Sequence, residues 1–423
     1  MTSPKLNLEL LAKNIDSSPT PYHAVSTISN TLIENSFVKL DLRSIFTAEP
    51  GKYFVSVGGS IIAWIQNEKF LPYRIVGSHS DSPNLRVRPN ADLNTSIANQ
   101  LTVEIYGSPL LNSWLDRDLG LAGLVNIKDS SGKSEHLLTL DKSVLRIPQL
   151  AIHLDRKLSS DGLKLDQQKH LKPMWLTGPD KPVLNELIAD QLSISSDQIL
   201  SSDMMLYDLQ NAEVISGDSG FLSSSRIDNL LSVFAGLDSL SQLSDDCSST
   251  PVFAVFDNEE VGSRSDTGAA GAFLDQVLER ISLSNSLDRG QYLAAISNSH
   301  FLSVDGAHAT HPNYPEKHDP NHRIIMNNGI VIKHNTDQHY ATDARSESDF
   351  ISCIDGLDLE IQRYSHRNDM SCGTTIGPIV SANLAINSID IGVAQLAMHS
   401  IRETAGCKDI LDLGKAISAF WSN

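Results

Sequence analysis

Two adjacent carboxylates, Glu259 and Glu260, end the run Pro251-Val-Phe-Ala-Val-Phe-Asp-Asn-Glu-Glu-Val-Gly-Ser263. No basic residue separates them. Like charges placed side by side raise each other's pKa unless a cation joins them. A metal ion resolves the conflict, because one glutamate can bind it while the other stays free as a general base. A solvated acidic turn explains the pair better on its own, so the rest of the chain has to decide.

Other residues of the same chemical type recur at similar places. His79-Ser80-Asp81 closes the strand-like Tyr73-Arg-Ile-Val-Gly-Ser-His79. A histidine with a carboxylate two residues on suits a metal ligand and the group that fixes its tautomer. A capped turn would also produce it. Asp228, in Ser225-Arg-Ile-Asp-Asn229, opens a predicted helix, where it either complements the helix dipole or bridges two metals. Asp305-Gly-Ala-His308-Ala-Thr-His311 follows the apolar Phe301-Leu-Ser-Val304, with His318 and His322 close behind. His399 lies in Leu396-Ala-Met-His-Ser-Ile-Arg-Glu403, near the start of an apparent helix; alone, it reads as a core or surface histidine. Each residue has a bland explanation, but the bland explanations predict no common pattern. All the candidates fall at or near a strand end or a helix start, where α/β proteins build ligand sites. A two-metal hydrolase needs a bridging carboxylate, plus carboxylate or histidine ligands on ions about 3.5–4 Å apart. The candidates supply those donors.

The elements that must position them follow from apolar spacing. Asn7–Asn14 has helical periodicity, and Thr20-Pro21 reads as the N-cap and first residue of a helix reaching about Asn35. Strands are expected at Tyr53–Val57 and Ile61–Ile65 around Gly58-Gly59, then at Tyr73–His79, Leu293–Val304 and Ile330–His334. Helices are expected at Arg226–Leu243, Ser346–Ile354, Val393–Glu403 and Ile410–Trp421. Between about Arg88 and Ser216 the texture changes to short β-like stretches (Leu101–Tyr106, Leu121–Ile127, Val144–Leu154) and a polar segment, Ser159–Lys172. The expectation is a discontinuous α/β domain, 1–87 and 217–423, interrupted by a mostly-β insert, 88–216.

Composition narrows the partners. The chain has 423 residues, 40% of them hydrophobic, and a net charge of −18. That charge argues against nucleic acid and anionic membranes. No apolar run approaches the roughly 18 residues of a membrane span, and Met1–Leu11 has no apolar signal core. Cys247, Cys353, Cys372 and Cys407 are scattered, which suits a reducing cytoplasm.

These stretches resemble the aspartyl aminopeptidase family of metallopeptidases, within the co-catalytic two-zinc aminopeptidases. The similarity spans nearly the whole chain: Ser18-Pro-Thr-Pro-Tyr-His23, His79-Ser-Asp-Ser-Pro83, Trp114-Leu-Asp-Arg-Asp-Leu119, Ala151-Ile-His-Leu154, Asn258-Glu-Glu-Val-Gly-Ser263, Asp305-Gly-Ala-His-Ala309 and Ala397-Met-His-Ser-Ile-Arg-Glu403. So many ordered matches are highly specific. The resemblance implies an aminopeptidase-type catalytic domain, its central mixed sheet flanked by helices, with an inserted oligomerisation domain. It implies two Zn2+ per subunit, with Mn2+ or Co2+ as alternatives. His79 and Asp305 would hold one ion, Glu260 and His399 the other, with Asp228 bridging. Glu259 would be the general base acting on a metal-activated water, and Asp81 the orienter of His79. His153 matches a histidine reaching the site from the inserted domain of a neighbouring subunit; family descriptions count it among the metal-binding ones, but a substrate or transition-state role fits better, because the two ions already have their ligands. His308, Lys333 and Tyr340 match substrate-contacting positions. The implied reaction removes the first residue of peptides, with preference for N-terminal Asp or Glu, in a closed assembly of about twelve chains built from dimers. Ser80, Ser224, Asn383 and Ala394 depart from the family pattern without removing a ligand or the base. The rivals are a deacylase or carboxypeptidase on the same scaffold, and a non-catalytic assembly protein. The latter should lack a ligand or the base, and this sequence lacks none.

Overall fold

The computed structural model describes residues 6–130, 132–176, 183–244 and 247–423. The chain divides into two compact units. One comprises 1–81, 212–398 and 403–423, and the other 82–211 with 399–402. The second unit starts earlier than the expected 88, because strand Asn84–Asn94 pairs with Asn99–Tyr106. It ends before 216, because Glu213–Ile215 pairs with Phe221–Ser224 of the first unit.

The first unit is built on a nine-stranded mixed sheet. In order across the sheet the strands are Val38–Lys39, Gly51–Val57, Ser60–Gln66, Thr250–Phe256, Tyr73–His79, His300–Val304, Asn387–Gly392, Ile330–His334 and Ile361–Ser365. Every residue of Thr250–Phe256 is buried, as expected of a strand covered on both faces. Helices supply that cover. Leu230, Phe234, Leu237, Ile410, Leu413 and Ile417 pack with Phe253 and Val255 in one cluster, while Leu274, Val277, Leu278 and Tyr292 pack with Val252 and Ala254 in another. Thr20 caps the helix Pro21–Glu34, its hydroxyl accepting from His23 N, with Pro21 in the first turn.

Two expected elements differ. Leu293–Val304 is not one strand: Asp288 caps a helix, Arg289–Ser297, through a capping box with Gln291, and the strand is only His300–Val304. Val393–Glu403 is not a helix. Its ends are short strands, Ala394–Leu396 and Glu403–Gly406, paired with each other in a five-stranded sheet with Glu213–Ile215, Phe221–Ser224 and Ala307–His308. Ala397 (φ 58°) and His399 (φ 67°) adopt left-handed backbone that no α-helix contains.

The second unit is a closed antiparallel barrel, ordered Ile199–Asp208, Asn84–Asn94, Asn99–Tyr106, Met174–Trp175, Gly132–Arg146 and Leu119–Asp129. Leu85, Leu101, Leu121, Val125, Leu138 and Leu206 belong to its core. The expected strand Val144–Leu154 is β only as far as Arg146. Beyond it Ala151–Leu154 forms a turn closed by Leu154 N donating to Ala151 O at 2.8 Å. Among the described residues no helix is long and apolar enough to cross a membrane.

Candidate metal centre

Three neighbouring strands of the large sheet run parallel: Thr250–Phe256, Tyr73–His79 and His300–Val304. Phe256 pairs with His79, so both strands end at one level. The residues that follow them therefore emerge at the same edge, which is where His79, Glu259, Glu260 and Asp305 were expected. Asp228 joins them from the first turn of helix Ile227–Ser241, where its own backbone (φ −79°, ψ 104°) is not helical and its peptide bond to Asn229 is cis.

The ligand-type atoms converge in two groups within this unit, His79 with Asp228 and Asp305, and His79 with Glu259 and Glu260. Within each group the atoms lie within 4.8 Å of one another. His79 Nε2 is 3.4 Å from Asp228 Oδ1 and 3.7 Å from Asp305 Oδ1. Its Nδ1 faces the backbone oxygen of Asp81 at 3.0 Å and the carboxylate at 3.3 Å. Nδ1 thus meets only acceptors and carries a proton, which turns Nε2 toward the carboxylates. Asp81 does more than orient this ring. Its two oxygens accept from Glu259 N and Glu260 N, both at 3.1 Å, so one carboxylate holds the backbone of both glutamates. Three residues around the pair have left-handed backbone, Asn258 (φ 64°), Gly262 (φ 95°) and Ser263 (φ 60°), which makes the tight turn possible. Gly392 is required for a different reason. A Cβ there would stand 1.8 Å from the carbonyl oxygen of Asp305.

The electrostatics of this cluster call for a cation. Withdrawal from water, opposed in part by His79 and reinforced by Asp305, Asp81 and Asp228, pushes the Glu259 carboxyl up to about 8. Withdrawal from water and the nearby Asp228 and Glu259 likewise hold Glu260 well above the usual carboxylate range. Burial by itself would lower His79, but hydrogen bonding to Asp228, Asp305 and Asp81 outweighs it and holds the imidazole well above its ordinary value. Carboxylates and imidazole thus retain protons they would ordinarily shed, and a divalent ion can displace those protons. Nitrogen and oxygen donors in this mixture fit zinc.

Beside the cluster lies a second wall. Lys333 is only 1% exposed; its Nζ donates to Gly306 O at 3.0 Å, lies 3.8 Å from Asp305 Oδ2 and sits 5.1 Å from the Tyr340 ring centre. Half-buried His308 faces Tyr364 at 6.2 Å between ring centres, and Tyr340 faces Tyr364 at 6.3 Å. Tyr364 and its hydrogen-bond partner His366 (2.5 Å) were not singled out from sequence, because nothing in Ile361–His366 distinguishes them from an ordinary edge strand.

The remaining expected residues stand in the second unit. Half-buried His399, in a loop rather than a helix, has Nδ1 3.1 Å from Ser108 O. His153 is exposed on the Ala151–Leu154 turn.

Known proteins resemble this chain over nearly its whole length. Residues 14–421 match the family model described as aminopeptidase I zinc metalloprotease (M18). A curated relative from Mycobacterium leprae, named "Probable M18 family aminopeptidase 2", is 41% identical over 421 residues, covering 97% of each chain. The solved structure of Ape4 in complex with Nbr1 superposes with a TM-score of 0.92 at 32% identity, over 98% of this chain and 85% of that one. The S. cerevisiae mApe1 dodecamer gives a TM-score of 0.85 at 26% identity, over 97% and 95%. With that match running through both units, the chain belongs to the M18 family of zinc metalloaminopeptidases.

Proposed function

We propose that this chain is a two-zinc aminopeptidase that releases N-terminal residues one at a time, with preference for Asp and Glu. The observation that carries the reading is the convergence of His79, Asp228, Glu259, Glu260 and Asp305 at one edge of the sheet. His79 and Asp305 would hold one ion and Glu260 the other, with Asp228 between them. The family pattern assigns His399 as the remaining ligand. Zinc, when bound, supplies the Lewis acidity that acidifies a water and polarises a peptide carbonyl.

The chain's own residues do the rest. Glu259 accepts the proton of the attacking water on its carboxylate and returns it to the nitrogen of the leaving amine. Asp81 keeps Glu259 and Glu260 at fixed spacing through their backbone N–H groups. The peptide's free α-amino group is a cation drawn to the carboxylate cluster, and that requirement limits removal to one residue at a time. Lys333 places a positive charge beside Asp305, and with His308 and Tyr340 it forms the wall that favours an acidic first side chain.

The exposed apolar residues around His153, namely Leu150, Ile152 and Leu154, support self-association, and a solved family neighbour is a dodecamer. In such an assembly His153 would act on substrate in a neighbouring subunit. No disulfide joins Cys247, Cys353, Cys372 or Cys407, in keeping with a cytoplasmic enzyme.

A panel of N-terminal amino-acid amides against N-acyl amino acids tests the reaction. Turnover of Asp and Glu amides above Leu amide is expected, with none of the N-acyl compounds. Preferred turnover of N-acyl substrates would make the chain a deacylase. Mixing His153→Ala and Glu259→Gln homo-oligomers tests the shared site. Activity should return in mixed oligomers verified by native mass spectrometry, and its absence would remove His153 from a neighbour's site.

A further inference from the structure

Asn229 is buried, 1% exposed, and its side chain is not among the ligand-type groups of the metal cluster. Its amide nitrogen donates to Ser78 Oγ at 2.9 Å and to the carbonyl oxygen of Val304 at 2.9 Å. Both partners sit one residue before a member of the cluster: Ser78 precedes His79, and Val304 precedes Asp305. Asn229 itself follows Asp228. One side chain therefore ties together the three backbone segments that deliver His79, Asp228 and Asp305. The two strands are parallel and already in register, with Gly77 opposite Ser303, so Ser78 and Val304 lie side by side at their ends. The amide spans that pair from the helix side. Val304 O can only accept, which fixes the amide group with its nitrogen toward the strands.

Asp228 opens the helix with backbone dihedrals (φ −79°, ψ 104°) outside the helical region. Its backbone N donates to Glu403 Oε2 at 3.0 Å, from a glutamate 1% exposed on strand Glu403–Gly406. Glu403 fixes the near side of Asp228 and Asn229 the far side.

We infer that Asn229 is a positioning residue for the metal centre, setting the spacing of His79, Asp228 and Asp305 by bridging Ser78 and Val304. The role is mechanical: three ligands on separate segments hold one ion tightly only if their separation is fixed before the ion arrives. Outer groups that orient ligands in this way contribute about 10–100-fold in metal affinity.

The test measures zinc affinity on metal-stripped protein by competition with a chromophoric chelator, alongside the thermal melt of the same stripped protein. Asn229→Ala should weaken zinc binding about 10–100-fold at temperatures where the stripped variant remains folded. Ser78→Ala removes one of the two acceptors and should weaken it about 5-fold, the equivalent of one hydrogen bond. A purely structural role would lower the melt while leaving zinc affinity of the folded protein unchanged. An Asn229→Ala protein that folds and binds zinc within about two-fold of the unaltered chain overturns the assignment. If that variant does not fold, Ser78→Ala decides the matter, and unchanged affinity there overturns it.

Discussion

The two units put their candidate chemistry in opposite places. In the first, His79, Glu259, Glu260 and Asp305 gather at or just beyond the ends of parallel strands. In the second, His153 stands exposed on a turn beside Leu150, Ile152 and Leu154, which are 57%, 48% and 75% exposed. Strand polarity explains the contrast. Parallel neighbours send every carboxyl end to one edge, so residues distant in sequence meet there. The barrel's pairs are antiparallel, so its strand ends alternate between two rims rather than meeting at one edge. A unit of that kind has a surface to contribute.

The sharpest way to break this division is Glu259→Gln. The amide keeps the shape but cannot take a proton, so kcat should fall about 10²–10⁴-fold while elemental analysis finds zinc unchanged. Near-normal kcat would remove Glu259 as the base. Next, stripping zinc with a chelator should abolish activity and lower hydrogen-exchange protection around Asp228–Asn229 and Glu259–Glu260, leaving the barrel strands as protected as before. Equal loss in both units would show that the ion stabilises the whole chain. Thirdly, Ile152→Asp with Leu154→Asp should shift mass photometry toward smaller species without altering zinc affinity. An unchanged mass distribution would show that this turn is not an interface.

The smallest effect is a pH dependence confined to the first unit. Burial, with the Arg226 charge, lowers His23 from 6.5 to about 4. Its ring nitrogen Nδ1 lies 2.8 Å from Thr20 Oγ1, and burial beside Arg226 makes the folded state disfavour the proton. The associated stability is fully present above pH 6.5 and is lost as pH falls toward 4, by up to about 3 kcal/mol. Melts of His23→Leu should show a shallower fall over that interval. A slope identical to the parent's would assign the acid sensitivity to other groups.

Legibility followed how local each signal was. His79 and Asp305 each close a short apolar β run, Glu259 and Glu260 follow one within four residues, and a strand end is readable from its own residues. The helix Pro21–Glu34 was equally plain, because Thr20 and Pro21 announce it. The loop of His399 was hidden. Val393–Glu403 has spacing that suits a helix, and only pairing with partners elsewhere makes its ends strands. Leu293–Val304 concealed a boundary because Ala294, Ala295 and Ile296 serve helix and strand alike. The edges of the barrel unit were blurred because Asn84–Val87 looks like an exit loop until it finds Asn99–Tyr106. Asp81's hold on the glutamates spans 178 positions, and Asn229's on Val304 spans 75; no local pattern encodes either.

The Asp81 clamp has a consequence for how the chain assembles. Its two oxygens meet Glu259 N and Glu260 N only when Phe256 stands opposite His79. A slip of Thr250–Phe256 by one residue would exchange its faces and carry both N–H groups out of reach. With apolar side chains on both faces of that strand, hydrophobic contact discriminates weakly between neighbouring alignments. The carboxylate discriminates strongly, since a misaligned chain takes both backbone N–H donors away from a buried charge. Asp81 thus works as a checksum on the sheet, and a chain that fails the check also fails to bring its glutamates to the candidate metal centre.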